Sequence, residues 1–251
     1  MTKISDLISK WKKGMILTSP FLKNEGIRSD LVKRYLTSKW LRKVGNEAYK
    51  LYDDEIDIFG ATQALQDQLG KSIRIGGKSA LSYLGYSHYL SQKNETVFLY
   101  GKYKEKLPVW FINYEWNEKY KYYAPNLFDK ELNEYLTEFS RNGISTMISC
   151  AELALFEMLY LVPTEQSFQE AFLIAENLRT LRADKIQTLL ENCNSVKVKR
   201  MVLFMLEEND HAYFKSIDVS KVELGSGKRM IVKDGKYNSK YKITVPRDLH
   251  G

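Results

Sequence analysis

Apolar residues recur at Ile4, Leu7, Ile8 and Trp11, the i, i+3, i+4, i+7 rhythm of one buried helix face. Gly14 ends that helix, and Met15-Ile16-Leu17 reads as a short extended run. Thr18 or Ser19 can cap a second helix, with Pro20 in its first turn and Phe21 and Leu22 on its apolar side. Asn24, Glu25 and Gly26 break it, Ile27 packs the turn, and Ser29 caps a third helix. In that third helix Leu31, Val32, Tyr35 and Leu36 form the buried side, and Asp30, Lys33, Arg34 and Thr37 lie largely on the other. Trp40-Leu41 resumes an apolar run, Gly45-Asn46 is a hairpin turn signal, and Ala48-Tyr49-Lys50 makes the return strand. Three helices followed by a hairpin is the order of a winged helix-turn-helix.

Further on, Ile56 to Leu69 is helical, with Ile58, Ala61, Leu65 and Leu69 along it. Ser72 to Ile75 is a short strand, and Gly76-Gly77 leads into a helix containing Ala80, Leu81 and Leu84. Thr96 to Tyr100 and Val109 to Ile112 predict strands, joined by the lysine-rich Gly101 to Pro108. From Ser145 the pattern turns helical through Ile148, Leu153, Leu155, Phe156, Leu159 and Leu161. Pro163-Thr164 resets the chain before an amphipathic helix over Phe168 to Leu178, and Ile186 to Leu190 and Val202 to Leu206 follow with similar rhythm. The end is strand-like at Val219 to Leu224, Met230 to Val232 and Tyr241 to Val245. The fold class expected is α+β: an N-terminal winged helix-turn-helix with a helical extension over 1–93, then a mixed α/β domain over 94–251, with the boundary near Gln92–Asn94.

Charge sharpens this picture. Residues 1–50 hold 12 Lys+Arg against 4 Asp+Glu, and residues 51–251 hold 26 against 27, so the net +7 of the chain is the work of its first fifth. A basic excess confined to a short helical segment is the footprint of a nucleic-acid-binding module. A helix in the major groove needs an apolar back and a polar, cationic front. Ser29, Lys33, Arg34 and Thr37 would face DNA from the recognition helix, with Arg28 at its entrance. Arg42, Lys43, Asn46 and Lys50 would line the wing, where backbone contacts are expected. Winged helices also serve as protein-contact modules, so a docking module without sequence-specific DNA binding is the alternative reading.

The longest apolar stretch, Ile144 to Val162, carries Glu152 and Glu157 and therefore reads as a buried helix, not a membrane span. The N-terminus has no apolar core like that of a secretory signal, and Cys150 and Cys193 are isolated, which suits two reduced thiols in a cytoplasm. His88, His211 and His250 have no metal-ligand spacing, and no hydrolase signature stands out, so neither a metal, a cofactor nor catalysis is expected. Gly225-Ser226-Gly227-Lys228-Arg229 has the outline of a phosphate-binding loop, but Val222 occupies the first-glycine position, Arg229 follows the lysine, and a strand pattern comes next. A second basic cluster is more informative. Lys197, Lys199 and Arg200 alternate with Val196, Val198 and Met201, and Lys228, Arg229, Lys236, Lys240 and Lys242 accompany Tyr237 and Tyr241. These residues are either scattered solvated cations or one polyanion- or partner-binding surface.

These residues resemble the AbiEi family, the antitoxins of type IV abortive-infection toxin–antitoxin systems. The N-terminal resemblance runs through Leu17-Thr18-Ser19, Gly26-Ile27, Asp30-Leu31-Val32-Lys33-Arg34-Tyr35, Ser38-Lys39-Trp40-Leu41, Val44-Gly45 and Ala48-Tyr49-Lys50. It continues in Ala64-Leu65-Gln66, Gly76-Gly77-Lys78-Ser79-Ala80-Leu81, Gly85-Tyr86 and His88. The more specific part is Ser195-Val196-Lys197-Val198-Lys199-Arg200, Leu224-Gly225-Ser226-Gly227-Lys228-Arg229, Lys240-Tyr241 and Ile243-Thr244-Val245-Pro246. The resemblance implies a bacterial cytoplasmic protein with two roles. The winged helix would bind inverted repeats of double-stranded DNA in its own promoter and repress the operon, through about six to eight phosphate contacts. The C-terminal domain would counter a nucleotidyltransferase-like toxin without a stable complex, using Lys197, Lys199, Arg200, Lys228, Arg229, Tyr237, Lys240 and Tyr241 as its antitoxin surface.

Overall fold

The computed structural model describes residues 3–9, 11–86, 96–130 and 132–249. The boundary stretch Gln92–Asn94, His88 and His250 lie outside the described residues. The chain divides into two compact units, Met1–Ile75 with Ser91–Pro125 and Glu138–Ile148, and Gly76–Leu90 with Asn126–Thr137 and Ser149–Gly251.

The first unit opens with α1 (Lys3–Ser9), β1 (Leu17–Thr18), α2 (Ser19–Asn24), α3 (Ser29–Thr37), β2 (Leu41–Gly45) and β3 (Ala48–Leu51). Thr18 caps α2 by accepting from the Phe21 amide at 3.4 Å. Gly26, at φ +75°, ends it in a Schellman turn: Ile27 N donates to Leu22 O at 2.8 Å and Gly26 N to Lys23 O at 3.0 Å. The strands form an antiparallel sheet in the order β1-β3-β2. Leu7, Leu17, Leu22, Ile27, Val32, Tyr35 and Leu41 meet in one apolar core beneath it. The outer edge of β1 is closed by Gln68, whose side chain donates to Ile16 O at 2.7 Å and accepts from Thr18 N at 2.9 Å.

Gln68 caps the C-terminus of α4 (Ile58–Asp67), which leads to β4 (Arg74–Ile75). The chain then forms α5 (Gly77–Tyr83), β5 (Val97–Tyr100), α6 (Val109–Asn113), β6 (Tyr120–Tyr123), β7 (Leu136–Arg141) and β8 (Ile144–Ser149). β5 is the middle strand of a small mixed sheet, antiparallel to β4 and parallel to β6. Val109 to Ile112 is therefore a helix and not the expected strand. Pro108 starts it as N-cap, Trp110 and Phe111 are buried together, and Val109 and Ile112 face solvent at 65% and 54% exposure. Burial on a helical period outweighs the strand preference of the β-branched residues.

The second unit packs α5 with α7 (Ala151–Tyr160), α8 (Phe168–Glu176), α9 (Ala183–Asn192) and α10 (Val196–Glu208). The helical expectation from Ser145 starts too early: β8 runs to Ser149, and α7 begins at Ala151. α7 is buried on all sides, and its two carboxylates have partners. Glu157 accepts from Gly77 N at 2.9 Å and Glu152 from Arg182 N at 3.0 Å. Among the described residues no helix is long and apolar enough to cross a membrane. Val219 to Leu224 is not a strand; the Asp218 carboxylate accepts from Ser220 N at 3.1 Å and winds Val219–Lys221 into a single 3-10 turn. The unit ends in β9 (Arg229–Met230), β10 (Lys236–Asn238) and β11 (Ile243–Val245), ordered β10-β11-β9, with β10 antiparallel and β9 parallel to the central β11.

Candidate nucleic-acid interface

α3 buries Val32 and Tyr35, half-buries Leu31 and Leu36, and exposes Ser29, Asp30, Lys33, Arg34 and Thr37. At 100° per residue the exposed set covers one continuous face opposite the core. Ser29 is the first helical residue and not the cap; Arg28 occupies the cap position in extended conformation, without a side-chain capping bond, and its side chain is exposed. The Thr37 hydroxyl donates to Lys33 O at 3.1 Å, which leaves its lone pairs outward. The helix closes with Lys39 at φ +56° and Trp40 N donating to Tyr35 O at 2.9 Å, so the chain turns directly into the wing.

In the wing Arg42 pairs with Lys50 and Lys43 with Tyr49 across the hairpin, and the turn is Asn46-Glu47 with Glu47 at φ +63°. A register shift between Lys43 and Gly45 leaves both Arg42 and Lys43 exposed, although neighbours on a regular strand face opposite sides. Asn46 is exposed at the tip. Among the described residues no ion pair neutralises Arg28, Lys33, Arg34, Arg42 or Lys43. Lys50 departs from the expected set. It is half-buried, and its ammonium donates to the Asp54 carbonyl at 2.6 Å. The Asp54 carboxylate accepts from Trp11 Nε1 at 3.0 Å and Gly14 N at 2.9 Å, so Lys50 helps to fasten the wing to the segment after α1.

The second basic cluster separates into two groups. Lys197, Lys199 and Arg200 belong to α10, so their alternation with apolar residues falls on a helix. Arg200 is 1% exposed. Its guanidinium donates to the carbonyls of Leu224 at 2.9 Å, Gly227 at 2.7 Å, Gly225 at 3.1 Å and Lys242 at 3.2 Å. The loop with a phosphate-loop outline thus aims carbonyl oxygens at a buried cation, the opposite polarity from an anion cradle. Lys199 is buried. Lys197 is half-buried and closes the C-terminus of α7, donating to Tyr160 O at 2.8 Å and Val162 O at 2.6 Å. Tyr241 is buried, its hydroxyl on Glu207 at 2.8 Å, and Lys240 is exposed but pairs with the same carboxylate. Arg200, Lys240 and Tyr241 hold the terminal segment on α10, Lys197 caps α7 and Lys199 is buried, so these five residues do not form the expected open surface. Lys228, Arg229 and Tyr237 are exposed, with the Lys228 ammonium 4.8 Å from the Tyr237 ring centre. Met230 was not anticipated; it stands 70% exposed beside them, an isolated methionine that carries no sequence signal by itself.

Among the described residues no group of three or more His, Cys, Asp or Glu is placed to hold a metal ion. Burial pushes the thiol of Cys150 up to about 12 and that of Cys193 up to about 11, which keeps both as inert core thiols.

Two family models match end to end. Residues 1–92 match the model of a transcriptional regulator, AbiEi antitoxin N-terminal domain, and residues 94–246 that of a transcriptional regulator, AbiEi antitoxin, type IV toxin–antitoxin system. The chain belongs to the AbiEi antitoxin family. A transcriptional regulator of a type IV system accounts for a winged helix whose charge stands on its exposed face. No curated protein matches the chain in sequence. Among solved structures, the chain is similar to the crystal structure of the RV2827C protein from Mycobacterium tuberculosis, with a TM-score of 0.64 and 13% identity over 98% of this chain and 90% of that chain. That likeness shows a shared fold.

Proposed function

We propose that this AbiEi antitoxin represses its own operon by binding inverted repeats in the promoter through α3 and the wing, and that it counters a nucleotidyltransferase-like toxin without a stable complex. The observation that carries the first half is the exposed cationic face of α3 and the wing, which no ion pair neutralises among the described residues. Arg28, Ser29, Lys33, Arg34 and Thr37 would meet the major groove, and Arg42, Lys43 and Asn46 the adjacent backbone. Lys50 acts as a brace in this reading. The functional boundary is proposed at 93, with the antitoxin part over 94–251 and Lys228, Arg229 and Tyr237 as its exposed surface. The protein would work in the cytoplasm, without catalysis of its own.

The test is a double substitution, Lys33→Ala with Arg34→Ala, on exposed positions where folding does not depend on the side chains. Operator affinity falls at least tenfold while the melting temperature stays within about 2 °C. Unchanged operator affinity would refute the assignment of α3 and favour the protein-docking reading. Toxin rescue is best read in full-length variants, because α6 packs within the first unit against the wing, and a cut at 93 would strip that contact away.

A further inference from the structure

The open face of the terminal sheet, which carries part of the proposed antitoxin surface, displays a row of side chains whose chemistry deepens that reading and rests on it. In β11 Ile243 and Val245 are buried, so Thr244 points to the opposite face. Thr244 pairs with Tyr237 on one side and with Met230 on the other. Directly paired residues point to the same face, so Tyr237, Thr244 and Met230 form one row across three strands, about 10 Å from end to end at the usual strand spacing. Tyr237 is 40% exposed and Met230 70%. Lys228 stands beside this row, its ammonium 4.8 Å from the Tyr237 ring centre, and Lys242 is exposed in the turn, at φ +52°, that leads into β11. Arg229 and Lys236 stand exposed at the flanking strands. None of these four cations is in an ion pair among the described residues. Below the sheet, Arg200 holds the Gly225–Gly227 loop and Lys242 by their carbonyls, so the platform is braced from within its own unit.

We infer that this face binds single-stranded RNA, a chemistry separate from the operator contacts of the winged helix. Cations alone would suit any polyanion. The exposed Tyr237 ring adds a flat surface on which a base can stack and the Met230 thioether a polarisable contact beside it, and a duplex does not offer its base faces. The Thr244 hydroxyl lies between them and makes no side-chain hydrogen bond among the described residues, so it can meet a ribose 2′-hydroxyl, the group that distinguishes RNA from DNA. Tyr237 is the stacking element, with the Met230 contact beside it; Lys228 and Lys242 take the phosphates.

The test is fluorescence anisotropy of the full chain with a short labelled single-stranded RNA of mixed sequence, with single-stranded DNA, non-operator duplex DNA and polyglutamate as competitors. Tyr237→Ala with Met230→Ala weakens RNA binding tenfold or more, Tyr237→Phe retains it, and operator affinity is unchanged in both. Lys33→Ala with Arg34→Ala leaves RNA binding within twofold. Thr244→Val reduces the preference for RNA over single-stranded DNA. Competition by duplex DNA or polyglutamate as strong as that by single-stranded RNA would overturn the proposal, as would an RNA affinity that follows the α3 substitutions and ignores Tyr237. Operator binding is read in the same preparations, so failure of RNA binding is distinguishable from failure of the repressor reading.

Discussion

A Cβ on Gly45 would lie 2.6 Å from the Trp110 Cβ and 2.9 Å from the Trp110 Cα. The base of the wing turn thus rests directly on the α6 backbone, where the contact cannot be relieved by a rotamer change. Gly45→Ala must push the wing away from α6. The expected result is an operator affinity several-fold weaker with the recognition helix untouched, together with a melting temperature lower by a few degrees, the measure of about 1–2 kcal/mol for a domain of this size. Affinity equal to that of the unmodified protein would show that wing placement does not matter for DNA.

Arg200 ties the Gly225–Gly227 loop and Lys242 to α10 in the second unit. Removing the guanidinium takes the side-chain donor from the carbonyls of Leu224, Gly225 and Gly227, while Lys242 O keeps the Arg229 amide at 2.9 Å. Arg200→Met is expected to cost about 3 kcal/mol or more, a fall in melting temperature of about 6–12 °C. Arg200→Lys recovers little, because a point ammonium cannot span carbonyls arranged around a planar fork. A melting temperature within about 2 °C of the parent in either variant would contradict the bracing role.

His211 gives the protein an acid limit. It is buried, its Nε2 donates to Ala175 O at 2.9 Å, and its Nδ1 has no partner among the described residues. Burial is the largest cause holding its pKa below the usual histidine value. The unfolded chain therefore binds this proton at a higher pH than the folded one. The contribution to stability is complete above about pH 6.5 and is lost as pH falls through the folded value, by at most about 1.4 kcal/mol per pH unit. Urea melts between pH 7.5 and 5 would show it, and His211→Gln would flatten that part of the profile. An identical profile in the variant would remove His211 from the account.

The thiols set a mirror limit at alkaline pH. With Cys150 raised to about 12 and Cys193 to about 11 in the folded state, their contribution is present below the unfolded value near 9 and declines as pH rises above it. In the native protein at neutral pH both resist a thiol reagent, and both react in denaturant. Rapid labelling of either one without denaturant would contradict their burial.

The winged helix was legible because it is local. Its helices carry a clear apolar stripe, Gly26 ends α2, and its charge is displayed on the face away from Val32 and Tyr35; the wing turn falls one residue later than the Gly45-Asn46 signal, at Asn46-Glu47, with Gly45 ending β2. Lys50 was not legible as a brace, since its acceptor is the Asp54 carbonyl and a backbone acceptor leaves no mark in sequence. The second basic cluster shows the same limit. Lysines and arginines read alike in a sequence whether they meet solvent, as Lys228 does, or a ring of carbonyls, as Arg200 does. Only the fold, which brings the Gly225–Gly227 loop over α10, separates them. Val109 to Ile112 misled because strand preference is a property of the residues, whereas the burial of Trp110 and Phe111 on one helical side is a property of their neighbours.

The most direct measurement is a binding titration of the full chain against its own upstream DNA, with scrambled DNA of equal length, over a range of salt concentrations. Five exposed cations, Arg28, Lys33, Arg34, Arg42 and Lys43, have no ion pair among the described residues and face the proposed site, so log affinity should fall against log salt with a slope of roughly −4 to −5 per bound copy, and the upstream DNA should be preferred at every salt concentration. Equal affinity for both DNAs, or an affinity indifferent to salt, would contradict the claim that α3 and the wing read an operator.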